Sequence, residues 1–164
     1  MSDAGSTQVI DLLPHRGSAL IIDRIVRLNP ESGSGVIESS FTTALIQQLH
    51  QRLESIDVPH DSDQIVPELA VLEAFAQGCG IVWAAGQKDP DDAEHGLILG
   101  SAATVHFQCR ARTGRAVHHH ITLDSDLGSG ASFSGKVIDA SDGQVIATIG
   151  SLLAVRALAT PTNN

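Results

Sequence analysis

Cysteine, cationic side chains and uninterrupted apolar sequence are all scarce in this chain, and each shortage closes off a class of protein. The two cysteines, Cys79 and Cys109, fall below what a disulfide framework needs and show no metal-ligand spacing. Two free, packed thiols and no metal site are expected. Lysine and arginine number 10 against 19 aspartates and glutamates, a formal net charge of −9. That balance argues against a general nucleic-acid binder, because affinity for phosphate backbones comes largely from clustered cations. No apolar run reaches about 18 residues without a polar interruption. The start, Met1-Ser2-Asp3-Ala4-Gly5-Ser6, has neither a basic region nor an apolar signal core. A soluble, cytoplasmic protein with no membrane contact is expected.

What is present suits one globular domain. The chain has 164 residues, of which 42% are hydrophobic and 18% charged, enough for one packed core and too few for two domains. Residues 1–8 read as a disordered N-terminus, 9–157 as the domain and 158–164 as a flexible tail. Ala19 to Leu28 is rich in β-branched and aliphatic residues and ends at the turn Asn29-Pro30-Glu31-Ser32-Gly33; Gly35 to Thr43 reads as the returning strand. Leu45, Leu49, Leu53 and Ile56 recur at helical spacing, so Ala44 to Ile56 reads as an amphipathic surface helix. The second half shows no helical period. Extended segments are predicted at Leu97–Cys109, Ala116–Asp124, Ala131–Ala140 and Val145–Val155, forming an antiparallel meander with a hairpin turn at Ser141-Asp142-Gly143.

Between the halves lies Pro67-Glu68-Leu69-Ala70-Val71-Leu72-Glu73-Ala74-Phe75-Ala76-Gln77-Gly78-Cys79-Gly80-Ile81-Val82-Trp83-Ala84-Ala85. A helix apolar on every side is read as buried on every side. An ionisable group inside it costs several kcal/mol of desolvation unless it is protonated or paired. Burial also pushes a carboxyl pKa upward, toward the range in which it trades protons near neutral pH. Glu73 is therefore the candidate acid, and Gln77, four residues on and on the same face, is placed to orient it. A structural Glu neutralised by a hydrogen bond is the other reading of the same residues. Gly78 and Gly80 each cost roughly 0.8–1 kcal/mol relative to Ala, which calls for close approach of another backbone or room for bulky neighbours. Five or six strands wrapped around this one helix make an α+β fold. Covering the open edges of such a sheet predicts a dimer.

Charge is uneven along the chain. From Gly96 to Thr122 there is no acid, while Arg110, Arg112 and Arg115 fall within six positions, a local basic patch suited to an acidic partner or a phosphate. A solvated hairpin loop with incidental charge fits the same residues. His118 and His120 share one strand face but lack a third ligand at useful spacing, so a polar strand face is expected there. His106 reads as an ordinary sheet residue.

Two segments resemble a known family. Leu12-Leu13-Pro14-His15-Arg16-Gly17-Ser18-Ala19-Leu20-Ile21-Ile22-Asp23-Arg24 resembles the opening of the hotdog-fold 3-hydroxyacyl-carrier-protein dehydratases, where Leu-Pro-His-Arg runs into an aliphatic strand closed by Asp-Arg. Pro67 to Gln77 resembles their central helix, with a buried Glu followed by Ala-Gln. The resemblance covers roughly Leu12 to Val155. It implies a hotdog fold, a long antiparallel sheet wrapped around one central helix. It also implies dimers with sites at the subunit interface and elimination of water from a 3-hydroxyacyl thioester on acyl carrier protein, without a cofactor. By position Glu73 matches the family's catalytic acid and Gln77 the Gln that follows it. Pro14, His15 and Arg16 match the structural opening motif, and backbone N–H groups at the start of the helix would stabilise charge developing on the thioester oxygen.

The chain departs from the family where the catalytic His belongs. The family's His-Phe-Pro-Gly loop is replaced by Pro59-His60-Asp61-Ser62-Asp63-Gln64; His60, one position away, is the candidate base, and His15 of the opening motif, read first as structural, is the alternative base. The family's Pro-Gly at the helix start is Pro67-Glu68 here. These changes resemble a divergent branch of hotdog dehydratases associated with polyene-type acyl chains, some of which work beside a second hotdog subunit. The chain is thus expected to be a dehydratase, alone as a homodimer or as the Glu-bearing half of a heterodimer, with Arg110, Arg112 and Arg115 guiding an acidic carrier protein. A hotdog acyl-thioester hydrolase and a non-catalytic acyl-binding or partner subunit are the alternatives.

Overall fold

Turn chemistry places the first hairpin. The computed structural model describes Leu13 and residues 20–52, 65–87 and 95–158. In it β1 (Ile22–Asn29) and β2 (Ser34–Ser40) pair antiparallel. At the turn between them Gly33 adopts φ +59 and donates its N–H to the Pro30 carbonyl at 3.3 Å, a conformation that glycine adopts without a Cβ penalty. β2 stops earlier than expected and a helix, α1 (Thr43–Arg52), begins. Its cause is Thr42, whose hydroxyl accepts the Leu45 N–H at 3.2 Å while its carbonyl accepts the Ile46 N–H at 3.0 Å, an N-cap. The predicted continuation of this helix to Ile56 lies outside the described residues.

The central helix α2 (Glu68–Gly86) follows Pro67, whose carbonyl accepts the N–H of Ala70 at 2.9 Å and of Val71 at 3.3 Å. Then come β3 (His95–Phe107), β4 (Ala116–Asp126), β5 (Gly130–Asp139) and β6 (Val145–Leu158). β6 runs one residue past the predicted domain limit. Cys109 lies just beyond β3 instead of within it; it and the buried Cys79 are free thiols.

All six strands form one antiparallel sheet in the order β1-β2-β4-β5-β6-β3. Only β4, β5 and β6 make a meander. β3, expected to lead that meander, instead pairs with β6 at the far edge, while β4 pairs with β2. The connection 108–115 has no two-residue hairpin turn and is long enough to cross the ends of two strands, spaced about 4.8 Å apart. The Ser141-Asp142-Gly143 turn between β5 and β6 forms as expected, with Gly143 at φ +76 donating to the Asp139 carbonyl at 2.9 Å.

α2 packs against the concave inner face of the sheet. Phe75, Cys79, Ile81, Val82 and Trp83 on the helix meet Ile37, Val117, Ile121, Phe133, Val137 and Leu152 on the strands, each at most 2% exposed; each large apolar side chain so buried contributes about 1.5–3 kcal/mol. By length and composition alone α2 would cross a membrane, but its packing against the sheet marks it as a core helix. The glycines serve side-chain packing rather than close backbone approach. A Cβ at Gly78 would lie 2.5 Å from Ile121 Cδ1 and 3.4 Å from Ile37 Cγ1, and one at Gly80 would lie 3.1 Å from Leu13 Cδ2.

The expectation of a helix buried on every side is corrected. One stripe stays open or half-buried in the single chain: Leu69, at 64% exposure, then Leu72, Glu73, Ala76, Gly80 and Ala84. The sheet curls around only the opposite face. The two sheet edges also differ. β1 carries Asp23, Arg24 and Arg27 with two register shifts, whereas β3 has no Lys, Arg, Asp, Glu or Pro and exposes Ile98. Charge and bulges blunt an edge strand against pairing; β3 has only one bulge, next to Leu99. Replacing Gly78 by Val is expected to destabilise the fold by roughly 1–3 kcal/mol, read from urea denaturation, because neither Ile121 nor Ile37 has room to withdraw.

Candidate active site

Glu73 is held by a short relay. Ile21, at the entrance to β1, donates its N–H to Gln77 Oε1 at 3.0 Å, and Gln77 Nε2 donates to Glu73 Oε1 at 3.1 Å. The main-chain donor settles the amide orientation, since only the Gln oxygen accepts; the NH2 group must then face the carboxylate. Gln77 is 3% exposed, whereas Glu73 is half-buried on the open stripe of α2. Helical spacing, legible in the sequence, puts the two side chains together; the third member, a backbone N–H 56 residues away, had no sequence signal. Leu13, 5% exposed, packs beside Gly80, so the start of the opening motif lies against the same helix. Pro14, His15, Arg16 and His60 lie outside the described residues.

The arginine loop joins the entrance of α2. Ile65 bridges to Arg112, and the Val66 N–H donates to the Ala111 carbonyl at 2.9 Å, immediately before the helix begins. No side chain caps that helix start, which leaves its backbone N–H groups and the positive end of the dipole toward any bound anion or oxyanion. Arg110 and Arg112 are exposed. Arg115 is engaged otherwise: its Nη1 lies 3.0 Å from Asp139 Oδ2 and 3.2 Å from Asp142 Oδ2, fastening the loop to the β5–β6 turn. Burial tends to raise the Asp139 pKa, but hydrogen bonds from Ser141 and Arg115 prevail and hold it below the usual carboxylate value. Two of the three predicted basic side chains thus keep their charge uncompensated by these pairs.

No established family profile matches the sequence. A 3-hydroxyacyl-[acyl-carrier-protein] dehydratase FabZ from Idiomarina loihiensis is similar, at 24% identity over 140 residues that cover 85% of each chain. Among solved structures, the dehydratase heterocomplex ApeI:P from Xenorhabdus doucetiae superposes with a TM-score of 0.69 at 16% identity, covering 91% of this chain and 90% of that one. The chain has the hotdog fold. The fold is shared more widely: a hypothetical thioesterase from Streptococcus pneumoniae, solved with coenzyme A, gives a TM-score of 0.58 at 6% identity and covers 92% of both chains.

The histidines of the hotdog sheet divide by strand periodicity. His118 and His120 face outward with ring centroids 6.5 Å apart; His118 Nε2 lies 2.9 Å from Glu38 Oε2. Among the described residues no group of three His, Cys, Asp or Glu side chains is arranged to hold a metal. His119, which sequence reasoning did not single out, faces the core and is fully buried, with Nε2 2.7 Å from Ser39 Oγ and its ring edge-on to Phe75. Burial, and then the charges of His118 and His120, push its pKa down to about 3. It is a neutral core residue at physiological pH. Alternation between Val117 and Ile121 was the signal that marked it as inward-facing.

Replacing Gln77 by Ala leaves the buried Ile21 N–H without its acceptor. A stability loss of about 1–3 kcal/mol is expected, read by denaturant unfolding, with native far-UV circular dichroism retained.

Proposed function

We propose that this chain, in the cytoplasm, dehydrates a (3R)-hydroxyacyl thioester on acyl carrier protein to the trans-2-enoyl thioester, with Glu73 as the acid. The observation that carries the reading is the Ile21–Gln77–Glu73 relay, which holds the carboxyl of Glu73 in place on the open stripe of α2. A histidine base takes the proton from the carbon next to the thioester. The electron pair of that C–H bond forms the C=C bond as the C–O bond breaks, and Glu73 protonates the departing hydroxyl, which leaves as water. The N–H groups at the start of α2 stabilise charge on the thioester oxygen. Gln77 is a positioning residue.

The base is either His60 of this chain or a His from a second hotdog subunit. Absence of the His-Phe-Pro-Gly loop, together with similarity to a dehydratase heterocomplex, favours a heteromeric enzyme of the polyene-type branch. The long, uncharged edge of β3 suits pairing with a second subunit, homologous or identical. Likeness to a thioesterase structure supports one second reading, hydrolysis of an acyl thioester with Glu73 activating water. A non-catalytic subunit is the outcome if Glu73 has no chemical role.

The test is turnover of a 3-hydroxyacyl carrier-protein substrate, followed by mass, with this chain alone and with a second hotdog subunit added. Glu73→Gln is expected to lower dehydration by roughly 10²–10⁴-fold with the unfolding midpoint kept. Undiminished turnover in that variant removes Glu73 as the acid, and release of free thiol instead of the enoyl product assigns a hydrolase.

Arg110 and Arg112, exposed beside the helix start, are assigned to carrier-protein docking. Replacing both by Ala is expected to raise KM for the carrier-borne substrate by roughly twofold to thirtyfold, the equivalent of two exposed charge pairs. Turnover of a small thioester mimic should hardly change; equal loss with both substrates removes the docking role.

A further inference from the structure

The outer face of the sheet, turned away from α2 and Glu73, carries a row of basic side chains. Cross-strand register aligns Arg27 of β1 with Val36 of β2, His120 of β4, Lys136 of β5, Thr148 of β6 and His106 of β3. Cross-strand partners share a face, so this row runs across all six strands. Arg27, Lys136 and His106 are exposed and His120 is half-buried between them. A second row sets Arg24 beside Glu38 and His118. Two acids lie there: Asp23, beside Ser40 and Arg24, and Glu38, which is taken up by Arg24 Nε at 2.7 Å and Nη2 at 2.8 Å and by His118 at 2.9 Å. Beyond the first row on the other side, Asp124 accepts a hydrogen bond from Ser134 at 2.8 Å. The row from Arg27 to His106 thus carries no acid, in a chain whose formal net charge is −9.

We propose that this face is a docking surface for an acidic helix of a partner protein. Strands about 4.8 Å apart place the groups of the row at nearly the 5.4 Å pitch of an α-helix, so carboxylates on successive turns of a helix laid across the strands meet successive strands. From Arg27 to His106 is five strand spacings, about 24 Å, the length of a helix of roughly 16 residues. The backbone groups of this face are already paired within the sheet, which leaves side-chain charge as its means of recognition. The overall negative charge opposes a long polyanion such as nucleic acid, whereas a short acidic helix meets the local field.

His120, set between Arg27 and Lys136, makes the surface sensitive to pH. The groups that face it are Asp23, Arg24 and Arg27 from β1, Glu38 from β2, His118, His120 and Asp124 from β4, Lys136 from β5 and His106 from β3; β6 contributes the uncharged Thr148. Burial lowers the His120 pKa, and the charges of Lys136, His118 and Arg27 lower it further, so His120 gains its charge only below the usual histidine value. Docking strengthens as pH falls through that range.

The probe is a fluorescein-labelled helical peptide of about 16 residues with glutamates at i, i+4 spacing, titrated by fluorescence anisotropy against the full chain. Saturable binding is expected, several-fold tighter near pH 5 than near pH 8 and weakened by salt. The double variant Arg27→Glu/Lys136→Glu, altered only at exposed positions, should bind at least about tenfold more weakly with unchanged circular dichroism. Arg110→Glu/Arg112→Glu should bind the probe within about twofold of the unaltered chain. No saturable binding, binding that survives reversal of Arg27 and Lys136, or binding lost through Arg110 and Arg112 instead, overturns the assignment.

Discussion

The contact of α2 with the inner face of the sheet, closest where Gly78 meets Ile121 and Ile37, sets where Glu73 and Gln77 lie. With no side chain at position 78 the helix settles between β-branched residues of β2 and β4, and dense packing in such a core fixes rotation as well as distance. Rotation is what matters for Glu73. Turning the helix so that Ala74, Phe75 and Gly78 face the sheet leaves Leu69, Leu72, Glu73 and Ala76 on the other side, where a substrate or a second subunit has access. The acid is therefore half-buried in the single chain, with the rest of its surroundings left to whatever covers that stripe.

Gln77 joins core and site. It lies on the boundary between the buried and open faces of α2, and its amide spends its oxygen on the backbone of Ile21 and its nitrogen on Glu73. A side chain with both a donor and an acceptor is needed for this, which Glu or Leu at the same position would not supply. The entry of β1, the helix and the acid are thereby held in one arrangement. Arg115 does comparable work at the other end of the loop that precedes β4, where its pairing with Asp139 and Asp142 ties that loop to the β5–β6 turn and presents Arg110 and Arg112 beside the start of α2.

The two faces of the sheet divide the chemistry of the chain. Period-2 alternation sends His119 into the core as a neutral residue and its neighbours His118 and His120 to the outside, where cross-strand register adds Arg27 and Lys136. One tripeptide thus contributes to packing and to surface charge with no change in residue type. Environment, rather than identity, keeps the buried His119 imidazole neutral.

Local signals in the sequence determined the elements themselves. The Asn29-Pro30-Glu31-Ser32-Gly33 and Ser141-Asp142-Gly143 turns, the apolar run of α2, the strands flanking it and the Glu73–Gln77 spacing all depend on neighbours within a few residues, so they were legible without the fold. The order of strands was not, because β3 and β4 are joined by a loop whose composition says nothing about which edge it crosses to. The partner of Gln77, the engagement of Arg115, the orientation of α2 and the basic row from Arg27 to His106 likewise arise from residues far apart in the chain. Their energies come from packing and register, and these exist only once the sheet has closed around its helix.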